Sequence, residues 1–189
     1  MSATVVGIDP SLTGCGLAAI KHPSVAESPN TPRTAVVGES GSNTDTYSET
    51  AIRIGDQTRR IWNALPKRIE LVVIEGYGRP NPKAPGRHAE RCALFYQIVE
   101  QLARRRIPIA VVSPTTLKLW ATGNGKADKA DVLVAMRDLW PTVKLVNHNI
   151  ADALSIATMG AMHLGWIEPE LPCHYSPNVV WPKELVRSA

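Results

Sequence analysis

Two apolar runs in this chain each close on a lone acid: VVGID ends on Asp9 and LVVIE ends on Glu75. A short apolar run of this kind is the pattern of a buried strand that delivers one carboxylate to the carboxyl-end edge of a sheet. Laid side by side, two such strands bring Asp9 and Glu75 together. A third acid sits in a different context. In HNIADALSIATMGAMHL the residues Ile150, Ala153, Leu154, Ala157, Ala161 and Leu164 recur at helical spacing, which predicts an amphipathic helix carrying Asp152. Asp152 follows Asn149 by three residues and His148 by four, so these side chains can share one helix face.

Clustered carboxylates repel one another and cost free energy to desolvate, so their natural explanation is a divalent cation. Oxygen donors with few thiols point to Mg²⁺ or Mn²⁺. A pair of such ions can activate a water and stabilise the leaving oxygen of a phosphodiester, the two-metal route to hydrolysis.

In chain order, GIDPSLTGCG, VVIEGYG, SPTTLKLWATGNGKADKADV and IADALSIA resemble the four signature blocks of the RuvC family of Holliday-junction resolvases, and they span Val5 to Thr158. The resemblance implies an α/β ribonuclease-H-like fold with a mixed five-stranded sheet flanked by helices. It implies a dimeric endonuclease that cuts branched DNA such as four-way junctions, leaving 5′-phosphate and 3′-hydroxyl ends; whether forks and flaps are also substrates is left open by the sequence. It also implies two Mg²⁺ or Mn²⁺ ions per active site, held by Asp9, Glu75 and Asp152. The family usually has an Asp, sometimes a His, three residues before the last acid, where this chain has Asn149. Asn149 offers a neutral carbonyl oxygen and His148 a nitrogen that would favour Mn²⁺, so either can be the fourth ligand. The short length and this departure resemble a bacteriophage branch of the family.

Lys118 in TTLKLW and Lys129 in GKADKADV stand where the family has two basic residues, with Lys126 alongside. Helix-surface lysines commonly mean only solubility. The motif match and the Gly-containing turn before a helix N-terminus favour phosphate contact for all three, and a catalytic role for Lys118. The stretch after Glu75 carries Arg79, Lys83, Arg87, His88 and Arg91 among prolines. Basic side chains beside a phosphodiesterase centre suit a phosphate backbone, which makes Arg79, Lys83 and Arg87 candidate DNA contacts. Tyr77 in the same loop can stack on an unpaired base. Arg104, Arg105 and Arg106 close a helix and complement its dipole without any ligand.

The 189 residues suffice for one domain with a substantial core. Residues 1–167 are expected to form the nuclease domain and 168–189, rich in proline, an irregular C-terminal tail. A net charge of +4, unevenly placed, suits a polyanion-facing side. Cys15, Cys92 and Cys173 form no CxxC pair or zinc motif, which predicts reduced thiols. There is no signal-like N-terminus and no apolar stretch of spanning length, so the expected location is the cytoplasm, the host's if a phage encodes the protein, with no membrane partner.

Strands are predicted at Val5–Asp9, Gly16–Lys21 and Ala35–Glu39, the first two antiparallel across PSLTGCG, then at Leu71–Glu75 and Ile109–Val112 through parallel crossovers. Thr46 and Glu49 predict a capping box for a helix that ends at Pro66. Further helices are predicted at Ala89–Arg105, which is the expected dimer surface, at Pro114–Trp120, at Lys129–Trp140 and around Asp152. Two rival readings remain. Asn149 removes one charge from the usual site, as in a protein that binds branched DNA with weak or no cleavage. GIDPSLTGCG is also similar to the phosphate-contacting hairpin of actin-like and sugar-kinase folds, which need a second domain that a chain this short does not supply.

Overall fold

The structure, a computed structural model, describes residues 3–23, 31–42, 44–78, 88–174 and 178–183. Its strands are β1 (Thr4–Asp9), β2 (Cys15–Lys21), β3 (Arg33–Val37), β4 (Leu71–Glu75) and β5 (Ile109–Val112). Its helices are α1 (Tyr47–Ala64), α2 (His88–Arg104), α3 (Pro114–Thr122), α4 (Lys129–Leu139) and α5 (His148–His163). They build one mixed five-stranded sheet in the order β3-β2-β1-β4-β5. β2 runs antiparallel to both β1 and β3, whereas β1, β4 and β5 are parallel.

The period of two along each strand divides the core. Val6 and Ile8 of β1, with Val72 and Ile74 of β4, pack beneath α1 and α2. Val5, Leu71 and Val73 face the other way, into the core formed with α3, α4 and α5. Asp9 and Glu75 continue the second set, because each stands an even number of residues beyond Val5 and Val73. Both acids therefore emerge on the α5 face. In the parallel register Ile8 pairs with Ile74, which brings the next residues, Asp9 and Glu75, side by side at the carboxyl end of the two strands.

α5 departs from the amphipathic helix its spacing predicts: every residue from Ile150 to Ala161 is buried. The sheet covers one side and α4 the other, with α3 against part of it, so no solvated face remains. Its axis lies so close to β1 and β2 that a Cβ at Gly7 would overlap the carbonyl of Ala153, and one at Gly16 the carbonyl of Asn149.

Local signals account for the helix ends. Thr46 and Glu49 form the expected capping box of α1, and the helix stops at Leu65 before Pro66. Ser113 caps α3 with Pro114 in its first turn, and Asp128 with Asp131 forms a second capping box at α4. β3 lies two residues earlier than its apolar pattern suggests, because the pairing of Cys15 with Val37 sets where it ends. Among the described residues after α5, Pro172–His174 form a short 3₁₀ turn. His174 is buried and stacks on Trp120 at 4.5 Å, and Trp181 lies flat against His163 at 4.0 Å.

Candidate metal centre

One carboxylate oxygen from each of Asp9, Glu75 and Asp152 lies within 4.8 Å of the others. Three elements achieve this: β1 and β4 end side by side, and α5 crosses the same face with Asp152 one turn in from its start. The acids open into a cleft of about 370 Å³ that is also lined by Ser11, Tyr77, Arg91, Lys118, Lys129 and Asn149.

Burial dominates the electrostatics. It raises Asp9 above its ordinary value, against the opposing effects of its hydrogen bond with Glu75 and the charge of Lys129. Glu75 is held well above its usual value by burial, by the hydrogen bond it shares with Asp9, and by repulsion from Asp9 and Asp152. Asp152 is pushed up to about 6, first by burial and then by Asp9, while Lys129, His148 and Lys118 act in the opposite direction. All three acids are thus shifted in the same direction, as carboxylates crowded together with too little positive charge beside them must be. Three oxygen donors that converge, with too little counter-charge of their own, fit a hard divalent cation.

The expected ligands divide here. Asn149 lines the cleft beside Asp152, with its side-chain Nδ2 donating to the carbonyl of Gly14. That donation leaves Oδ1 as the donor atom it can offer a cation. His148 turns away, and its Nδ1 sits 3.1 Å from the carbonyl of Lys129, outside the carboxylate cluster. Sharing a face by spacing did not make it share the site, because the first residue of α5 faces the start of α4 rather than the strand ends.

Lys118 and Lys129 both reach the cleft, whereas Lys126 is exposed in the turn before α4 and does not line it. Tyr77 stands at the cleft mouth, 42% exposed, with its hydroxyl 2.9 Å from that of Tyr96 and its ring edge-on to Phe95. Arg79, Lys83 and Arg87 lie outside the described residues. Of the basic residues after them, Arg91 lines the cleft, while His88 packs against Tyr77 and lies 3.5 Å from the Cys92 thiol. Ser11 also lines the cleft, two residues beyond Asp9 in PSLTG, where a turn serine by itself signals no site.

The sheet order and the carboxylates at its β1 and β4 ends define a ribonuclease-H-like domain. Thermus thermophilus RuvC in complex with a Holliday junction substrate shares this fold with a TM-score of 0.60 at 23% identity, over 82% of this chain and 90% of that one. No family model matches the chain. Among curated proteins, the crossover junction endodeoxyribonuclease RuvC of Streptomyces avermitilis is 32% identical over 156 residues, 81% of this chain and 84% of that protein. The protein of the same name from Streptomyces griseus is 31% identical over 81% of this chain and 72% of its own length. At that identity and coverage the chain belongs to the RuvC family.

Proposed function

We propose that this protein is a metal-dependent, structure-selective endodeoxyribonuclease that hydrolyses the backbone of four-way DNA junctions. The observation that carries the reading is the convergence of Asp9, Glu75 and Asp152 in a cleft edged by basic side chains, within a RuvC-family chain. Two Mg²⁺ or Mn²⁺ ions, held by these acids with Asn149 as the further oxygen donor, would supply the Lewis acidity that phosphodiester hydrolysis needs. Lys118 and Lys129 meet the anionic backbone above the acids, and Lys118 offsets charge at the reacting phosphate. Lys126 and the loop residues Arg79, Lys83 and Arg87 extend that contact along the strand. Tyr77, exposed at the mouth, stacks on a base freed at the branch point.

Cutting both strands of a junction calls for two centres related by a two-fold axis, which matches the junction's own symmetry. α2 supports a homodimer. Ala89, Cys92, Tyr96, Val99 and Ala103 repeat every three or four residues along a face that is exposed or half-buried in one copy. Residues 1–167 carry the nuclease on this reading, and 168–189 form a tail. Its site of action is the cytoplasm, the host's for a phage-encoded protein, where the free thiols of Cys15, Cys92 and Cys173 stay reduced. Among the described residues no helix is long and apolar enough to cross a membrane.

End-labelled four-way, three-way and linear DNA, incubated with Mg²⁺, Mn²⁺ or chelator, test the proposal. Metal-dependent nicking of the branched substrates with linear duplex spared is expected. Tight junction binding with no nicking at saturating metal would overturn it in favour of a binding protein.

A further inference from the structure

Gln57 lies in the middle of α1 and is fully buried beside Ile54 and Ile61. Its Nε2 donates to the carbonyl of Ser11 at 2.9 Å and to that of Val37 at 2.8 Å. Among the described residues its Oε1 is buried without a partner. An orphaned buried acceptor destabilises the fold, so this side chain is not there for packing alone. What it does is visible in its two acceptors. Ser11 belongs to the turn that follows Asp9 and lines the cleft, and Val37 is the last residue of β3. Gln57 therefore ties the turn to the sheet.

The same turn is held from the other face of the sheet. Asn149, on α5, donates to the carbonyl of Gly14. Between these two anchor points the Ser11 hydroxyl accepts from the backbone N–H groups of Thr13 and Gly14, at 3.4 and 3.3 Å. The segment leaving Asp9 is pinned by one side-chain amide through each face of the sheet.

We infer that Gln57 is a positioning residue for the carboxylate centre: by anchoring Ser11 to the end of β3 it fixes the backbone exit of Asp9, and so the approach of Asp9 to Glu75 and Asp152. It is not among the cleft-lining residues and acts only through the turn. The inference rests on the nuclease reading above and adds a residue to it that lies outside the family's signature blocks.

Gln57→Met tests it, because Met keeps the length, removes both donated bonds and also removes the orphaned Oε1. A packing role alone predicts equal or slightly higher thermal stability and unchanged metal binding. Positioning predicts faster hydrogen exchange of the Thr13 and Gly14 amides in metal-free protein, and Mn²⁺ binding weaker by about tenfold or more as read by electron paramagnetic resonance. Wild-type exchange together with wild-type Mn²⁺ affinity would overturn the inference. Should Gln57→Met not fold, the wild type decides: the side-chain amide protons of Gln57 must shift along a Mg²⁺ titration with the same midpoint as the Thr13 and Gly14 amides, and a Gln57 signal that stays still refutes the coupling. These readouts need no DNA. A protein that binds Mn²⁺ without cutting junctions therefore defeats the nuclease reading alone.

Discussion

The side-chain amide of Asn149 donates its hydrogen bond to the carbonyl of Gly14, across the gap between the start of α5 and the turn after Asp9. A carboxylate cannot donate, so an Asp here would set two acceptors against each other. Asn149→Asp should lower the stability of metal-free protein by about 1–3 kcal/mol. Mg²⁺ should recover part of that loss, and half-saturation should move to lower Mg²⁺ because the new oxygen is charged. Thermal melts across a Mg²⁺ series check both effects, and identical curves for the two proteins would remove Asn149 from the site.

Asp9→Asn, Glu75→Gln and Asp152→Asn should each reduce cleavage by about three orders of magnitude or more while junction binding persists. Each change also replaces one acid of a buried, mutually repelling cluster by a neutral amide, so the metal-free variants should melt higher than wild type. Gel-shift, cleavage and melting data on one set of proteins separate the two effects. Variants that lose both cutting and stability would mean damage to the fold.

The pH dependence has a definite sign. Asp152 titrates near 6 in the folded protein, because of burial and the neighbouring Asp9, and near 3.8 when unfolded. Between those values the folded state holds the extra proton, so the group's contribution is full below about pH 4 and is lost as pH rises through 6. Its size is on the order of 3 kcal/mol. Glu75 acts in the same direction. Wild type compared with Asp152→Asn, from about pH 5 to about pH 7.5, should show wild type losing relative stability as pH rises, and saturating Mg²⁺ should abolish the difference. A gap that widens toward acid would contradict the site's electrostatics.

Lys118→Ala and Lys129→Ala should each flatten the salt dependence of junction binding by about one unit of slope, if each neutralises one phosphate. Lys118→Ala should also slow cleavage at saturating DNA, as expected of a side chain beside the reacting phosphate. Unchanged slope and rate would return both to ordinary surface residues.

Gly7→Ala tests the seat of α5. A methyl at this position meets the carbonyl of Ala153, which is backbone and cannot swing aside. The loss should be about 1–3 kcal/mol or more. Because Asp152 rides on the same helix, metal affinity should fall in step with stability. Full Mn²⁺ affinity in a strongly destabilised variant would show that α5 keeps its place by other contacts.

Much of the centre could be read from the chain alone, because its parts are local. An apolar run that ends in an acid defines both a strand and the end on which the acid sits, and strand alternation puts Asp9 and Glu75 on one face once they are neighbours. Thr46 with Glu49 marks a helix start from four residues. What only the tertiary structure decided is where side chains point when several neighbours compete for them. The spacing of His148, Asn149 and Asp152 allows a common face, yet His148 turns to the Lys129 carbonyl while Asn149 reaches Gly14. The apolar period of α5 shows one buried stripe but not the second layer of helices that buries the opposite side. Gln57 carries no signal at all: a glutamine in a helix reads as solvated until the fold brings Ser11 and Val37, 46 and 20 residues away, within reach of its amide. Periodicity and caps are set within a few residues, whereas hydrogen-bond partners are chosen by contacts that exist only after the chain has closed on itself.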